Sequence, residues 1–385
     1  MKTKKKKLSL FLFIDAFGWE MKQRHPAFLK DLIEDSKSLE TILGYSSACD
    51  PSIISGLTPS EHKLWSSYYY DPAGSPFKWT KPLQILPDFI FRRGRVRHHL
   101  SKWIKKRCGF TGYFQLYAIP FKHLPLFNYA EQKRIWEPGG LPCGESIFDR
   151  MAKEGTPYYV HDSGVGDEVR LERLQSHVQQ QSIDFAYCSL GRLDGLMHAV
   201  GNDHPDIGKL MLWYDDKIRA LLDAAEENYE EVSWHLFTDH GMHNVNESYN
   251  LIADVEALGL QWNIDYAAFY DSTMARFWIL DENARGPIIQ CLANHAKGRL
   301  CSDEELKEFG VWFDDGQYGD LVFLMNSGIQ IVPSFMGAKP CKGMHGYHPS
   351  DPDSFASLSS NRPIPESITK IQHIHQLMLS ELGLE

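Results

Sequence analysis

Residues Trp234–Met242 read WHLFTDHGM. The apolar run stops abruptly at Asp239-His240-Gly241, so a carboxylate and an imidazole stand where a buried strand would meet a loop. In open α/β sheets, ligands bind just outside such strand ends. Asp and His suit a divalent ion, and a neighbouring glycine lets backbone come close. The same pair also serves as a plain turn or helix cap, because Asp hydrogen-bonds readily to nearby backbone. The decision rests on whether the rest of the chain supplies partners.

A chain of 385 residues can bury a large core, as one elaborated domain or two ordinary ones. With 43% hydrophobic and 23% charged residues it has the composition of a globular protein. The net charge of -10 argues against a general nucleic-acid binder, and no specific nucleic-acid partner is expected. Seven cysteines are scattered singly with no CxxC pair, the usage of reduced thiols, and a cytoplasmic location is expected. The start imitates a signal peptide, with lysines before an apolar run. However, Leu8 to Ile14 is short, Asp15 ends it, and no small-residue cleavage site follows. No run approaches the ~20 apolar residues of a membrane span.

Leu8 to Ile14 is instead a first strand, delivering Asp15 to its C-terminal end. Residues 43 to 62, LGYSSACDPSIISGLTPSEH, follow. There Ser46 and Ser47 precede a helix-like apolar stretch, which places their hydroxyls at a helix N-terminus, where anions are stabilised. An ordinary N-cap serine gives the same pattern. From Gly144 the chain alternates helix, strand, helix and strand (SIFDRMAKEG, PYYVHD, LERLQSHVQQQ, DFAYCSLG), which implies a largely parallel sheet. The last of these strands opens onto Asp194 and His198, whose spacing of four puts both on one helical face or at one loop mouth. A helix from about Asp206 to Ala225 leads into WHLFTDHGM.

Two segments stand apart from this rhythm. Residues 72–135 form an aromatic, proline-punctuated insertion. Within it, residues 89–107 (FIFRRGRVRHHLSKWIKKR) mix Phe89, Phe91 and Trp103 with ten basic residues, counting two histidines. Such a segment suits an anionic membrane surface or a polyanionic substrate, and a solvated surface insertion reads the same way. Residues 263–335 read as a small α+β cap: strand-like from Tyr266 to Leu280, helical near Pro287 to His295 and Asp303 to Phe309, and a strand from Asp320 to Met325. Tyr249 to Leu258 and Ser367 to Leu382 read as helices. His345 lies in the loop-like GMHGYHP of residues 343–349.

The candidates are thus Asp15, Ser46 or Ser47, Asp194, His198, Asp239, His240 and His345. Three carboxylates and three imidazoles beside a hydroxyl suffice for two metal sites sharing a substrate. With Asp15, Asp194-x-x-x-His198, Asp239-His240-Gly241-Met242 and His345-Gly346-Tyr347 in this order, the sequence resembles the alkaline phosphatase superfamily. The resemblance is closest to its nucleotide pyrophosphatase/phosphodiesterase branch. It covers roughly residues 8–71, 145–260 and 336–385, and none of the basic insertion. Cys49-Asp50-Pro51-Ser52 is similar to the sulfatase Cys-x-Pro-Ser, but Ile53 stands where their arginine would be.

The resemblance implies an α/β fold: an alkaline-phosphatase-like core, residues 1–262 and 336–385, with a mostly parallel sheet flanked by helices, plus the cap at 263–335. In the family the nucleophile lies ten residues before the glycine of a Gly-x-x-Pro-x-x-His run. Here that run is Gly56, Pro59 and His62, which points to Ser46, with Ser47 second. The branch's phosphate-binding asparagine falls on Ser67, a departure that leaves substrate choice open. One metal is implied at Asp194, His198 and His345, the other at Asp15, Ser46, Asp239 and His240. Zinc suits these ligands and manganese can use the same set. The implied function is hydrolysis of a small phosphodiester or pyrophosphate through a covalent seryl intermediate. Monoester, phosphonate or sulfate ester hydrolysis and phosphoryl transfer are alternatives on the same fold. A membrane- or polyanion-binding protein with a structural metal site is the alternative of another class.

Overall fold

The computed structural model describes residues 4–85 and 94–384. Strand β1 (Lys5–Ile14) lies near the middle of a six-stranded sheet, and every side chain from Leu8 to Ile14 is buried. That pattern marks a strand covered on both faces. Phe11 and Phe13 enter one core, while Leu8, Leu10, Leu12 and Ile14 enter the other, as the two-residue period of a strand requires.

The remaining strands are β2 (Asp35–Leu39), β3 (Tyr158–Val160), β4 (Phe185–Leu190), β5 (Tyr229–Phe237) and β6 (Ala356–Ser360). Their order is β2-β6-β5-β1-β4-β3. Strands β5, β1, β4 and β3 are parallel neighbours, and β6 runs antiparallel between β5 and β2. Helices Asp167–Gln179 and Pro205–Asn228 cover one face. Helix α1 (Ser46–Ser55), helix Ile147–Glu154 and helix Ile374–Leu382 cover the other. The sheet is therefore mostly parallel and flanked by helices, as expected.

The register levels the strand ends. Ile14 pairs with Leu190 and Phe13 with Phe237, so the residues that follow β1, β4 and β5 emerge together at one edge. This edge carries the chemistry. The lysines that mimic a signal peptide lie partly within β1, where Lys5 pairs with Asp184 at 2.7 Å and Lys7 with Glu381 at 2.9 Å.

Several local expectations change. Residues 266–280 form two strands, Tyr266–Tyr270 and Met274–Ile279, in an antiparallel hairpin. With Leu321–Met325 and Gly298–Leu300 they complete a four-stranded sheet. Tyr249 ends a short strand that pairs with Ile329–Ile331, and helix Leu251–Glu256 starts only after Asn250, whose side chain accepts the Ala253 N–H. The closing helix begins at Ile374, not Ser367, because Lys370 first bridges to Glu40 beside the sheet.

Insertion and cap share a third core. It joins Phe77, Ile104, Phe114 and Tyr129 to Phe269, Phe277 and Phe323, and includes Tyr347. The basic segment contains helix α2 (Gly94–Cys108), which buries Ile104. Phe89, Phe91, Arg92 and Arg93 lie outside the described residues. Among the described residues no helix is long and apolar enough to cross a membrane. All seven cysteines are free thiols.

Candidate active site

Three strand ends and one helix start converge. Asp15 follows β1, its amide held by the Leu190 carbonyl at 3.0 Å. Asp239 and His240 follow β5, and Asp239 is wholly buried. His240 Nδ1 lies 2.9 Å from the Gly241 carbonyl oxygen, which can only accept. That contact keeps a proton on Nδ1, so Nε2 is the nitrogen turned towards the acidic cluster. Nε2 is 3.0 Å from Asp239 Oδ2, 3.9 Å from Asp15 Oδ1 and 3.1 Å from the Ser46 hydroxyl.

The second group repeats this design. Asp194 and His198 lie one turn apart on helix α3 (Arg192–Val200). His198 Nδ1 donates to the Gly343 carbonyl at 2.8 Å, which leaves Nε2 facing Asp194 Oδ1 at 3.2 Å. His345 Nε2 is 3.7 Å from the same Asp194 oxygen. The His345 ring stacks on His240 with centroids 3.7 Å apart, so the two groups are adjacent.

Do these residues fit two metal ions? In each group, Asp15-Asp239-His240 and Asp194-His198-His345, ligand atoms from all three residues lie within 4.8 Å of one another. Asp15 Oδ1, Asp194 Oδ1 and Asp239 Oδ2 are buried without a hydrogen-bond partner. Such orphaned oxygens are costly unless a cation satisfies them. Burial, then repulsion from Asp239 and Asp194, drives the Asp15 carboxyl well above its ordinary range. Burial, then the neighbouring His240 and His198, drives His345 well below. Burial, the largest influence, would raise Asp239, but the His240 imidazole and hydrogen bonds including that of Ser46 together hold the carboxyl below its ordinary range. The centre is short of positive charge, and two divalent ions fit it.

Ser46 opens α1 after the extended Tyr45, where the helix presents free N–H groups. Its hydroxyl faces His240, whereas Ser47 is turned to the Trp65 carbonyl at 3.5 Å. The structure thus separates the two candidates. Gly56, in the left-handed region at φ 74°, ends the helix. His62 Nδ1 accepts the Leu64 N–H, so its Nε2–H donates to the Ser52 hydroxyl at 2.8 Å. The Gly-x-x-Pro-x-x-His run is therefore scaffold that clamps α1 in place.

Ser67 directly precedes the short strand Tyr68–Tyr70. Its carbonyl accepts the Ala130 N–H at 3.0 Å, and the phenols of Tyr117 and Tyr129 reach its hydroxyl. Arg276 is buried beside this strand, bonded to Asp271, the Tyr68 carbonyl and the Ser66 hydroxyl among aromatic rings. Tyr347 packs in the third core and donates to the Ile329 carbonyl. Neither side chain is free to meet a substrate.

Sequence reasoning missed several neighbours. Tyr45 meets the His345 ring edge-on at 5.6 Å and bonds Thr273 at 2.8 Å. Its place directly before Ser46 was the available signal. Tyr113, Tyr117 and Tyr129 come from the insertion, where nothing in the sequence points at the site. His243, Asp351 and Asp353 also cluster within 4.8 Å. There His243 Nε2 is engaged with the Ser354 hydroxyl, and Asp351 accepts from Ser327 and the Asp353 N–H. That group anchors the loop after His345.

Comparison with known proteins identifies the family and the fold. The family described as type I phosphodiesterase / nucleotide pyrophosphatase matches residues 9–348. Murine ectonucleotide pyrophosphatase/phosphodiesterase 5, solved as an inactive variant in complex with AMP, is similar in fold at TM-score 0.68 and 14% identity, covering 99% of this chain and 96% of its own. The human counterpart gives 0.69 and 12%, with the same coverage. No curated protein sequence matches the chain. This chain belongs to the type I phosphodiesterase/nucleotide pyrophosphatase family, within the alkaline phosphatase superfamily.

Proposed function

We propose that the protein is a two-metal hydrolase that cleaves a phosphodiester or pyrophosphate bond in a small substrate through a covalent intermediate on Ser46. Family membership supports phosphodiester hydrolysis as the reaction class. The single observation that carries the finer reading is the Ser46 hydroxyl at 3.1 Å from Nε2 of His240, at the meeting point of two acceptor-rich groups.

Asp15, Asp239, His240 and Ser46 would hold one ion, and Asp194, His198 and His345 the other. When bound, such ions lower the serine pKa, neutralise phosphoryl oxygens and stabilise the leaving oxygen. Zinc is the reading for this mixed His/Asp set. Ser46 Oγ, releasing its proton to solvent, attacks phosphorus, forming the Oγ–P bond as the ester P–O bond breaks and the leaving group departs with its electron pair. Free N–H groups at the start of α1 favour the charge that builds on the serine side. Water then attacks phosphorus, breaks the Oγ–P bond and returns a proton to Ser46. Gly241 and Gly343 carbonyls keep His240 and His198 in the tautomer that leaves Nε2 free. The neighbour with AMP bound supports a nucleotide-like substrate, whose phosphate Ser67 would contact if the resemblance holds at that position.

The test is Ser46→Ala on bis-aryl phosphate. Turnover should fall by at least about a thousandfold, and a quenched wild-type reaction should show a phosphoryl adduct on Ser46 by mass spectrometry. Full activity in the variant contradicts the proposal. Comparison with aryl monophosphate, phosphonate and sulfate ester substrates separates the alternative hydrolases.

A further inference from the structure

The insertion does more than cover the core. Helix α2 faces the segment 114–118 across a groove of about 570 Å³. Arg97, His98, Ser101, Lys102 and Lys105 line it at spacings of one, three, one and three residues, which is one face of the helix. No carboxylate among the described residues lines it. In a chain of net charge -10 that is a local reversal of sign. A groove of this size holds a phosphate together with part of the group bearing it.

The groove is built, and through Tyr117 it is linked to Ser67, the residue the resemblance assigns to phosphate binding. Arg97 is committed to structure, its guanidinium holding the carbonyls of Tyr117 and Ile119. Lys105 bonds the Gly112 carbonyl. His98 and Lys102 are exposed and make no ion pair among the described residues. Tyr117 lines the groove, and its phenol also reaches Ser67. Tyr68, next to Ser67, donates to the carbonyl of Gln115, another lining residue, at 2.8 Å. One wall thus serves both spaces. A merely solvated cationic helix would not line a concavity whose other side is tied to Ser67 and Tyr68.

We propose that this groove is a subsite for a second anionic group, a phosphate monoester carried by the substrate away from the bond cleaved at Ser46. The inference rests on the reading of Ser46 as nucleophile, and it narrows the substrate class to small phosphoesters bearing an extra phosphate. Lys102 and His98 would contact that phosphate, while Arg97 positions Tyr117.

Titration calorimetry on the full-length Ser46→Ala chain tests this without depending on turnover. The probes are two pairs that each differ by one phosphate monoester, coenzyme A against dephospho-coenzyme A and NADP against NAD. The phosphate-bearing member should bind at least about tenfold more tightly in one pair, the worth of a charge-assisted hydrogen bond. Adding Lys102→Glu should erase that preference. Adding Lys106→Glu, the same charge change on α2 outside the groove, should leave it. Equal affinities within both pairs overturn the proposal, as does an equal loss from Lys106→Glu. So does vesicle binding: if phosphatidylserine vesicles bind the chain through Lys102 while the ratios ignore Lys102→Glu, the helix is a membrane contact. Failure of wild-type turnover on bis-aryl phosphate bears only on the catalytic reading.

Discussion

At the scale of single residues, the two adjacent serines at the start of α1 face different partners. Ser46 and Ser47 differ in sequence only by register, but one hydroxyl meets His240 and the other the Trp65 carbonyl. Ser47→Ala should therefore keep kcat within about threefold, since it removes one long, weak hydrogen bond. A collapse comparable to that expected of Ser46→Ala would reassign the nucleophile. Ser67→Ala should lower kcat/KM about fivefold, the value of one neutral hydrogen bond of ~1 kcal/mol, chiefly through KM. An unchanged KM would remove Ser67 from the substrate wall.

At the scale of elements, the strand ends were legible and the insertion was not. Asp15, Asp194 and Asp239 could be placed because a buried apolar run announces its own end, and a parallel sheet aligns such ends. The helix carrying Ser46 was likewise readable from Gly56. The tyrosines beside Ser67 were invisible, because the third core that presents them joins residues more than a hundred positions apart and leaves no local period. The hairpin turn at Asp271–Thr273 and the late start of the last helix were hidden for the same reason: long-range pairing decided them. The loop bearing His345 makes its own prediction. Gly346 has φ 85°, and a Cβ there would lie 2.7 Å from Tyr45 Cε1. Gly346→Ala should cost ~1–3 kcal/mol in urea unfolding and reduce metal retention, because Tyr45 packs against His345. Wild-type stability and metal content together would show that the loop tolerates the change.

At the scale of the whole molecule, acid should unfold the protein partly through buried histidines outside the centre. Burial pushes His62 and His161 each down to about 3 from an ordinary value of 6.5. Folded, they stay neutral through that interval; unfolded, they take up protons in it. The unfolded state then binds more protons, so stability is fully present above pH 6.5 and falls as the pH drops towards 3. Each histidine contributes a slope of ~1.4 kcal/mol per pH unit. Urea titrations between pH 7 and pH 5 should show this fall, and His62→Gln should flatten it by about one proton. An identical slope in the variant would mean that His62 does not titrate between the two states.

The same scale holds the central claim: one edge of one sheet gathers seven side chains into a centre for two ions and a serine. Its most direct measurement is metal content per chain by elemental analysis of the purified protein, for the wild type and for Asp194→Asn and Asp239→Asn. The expected result is about two divalent ions in the wild type and about one in each folded variant, since each substitution strips one group of a carboxylate ligand. A wild-type chain that holds no more than one ion, or variants that both retain two, would contradict it.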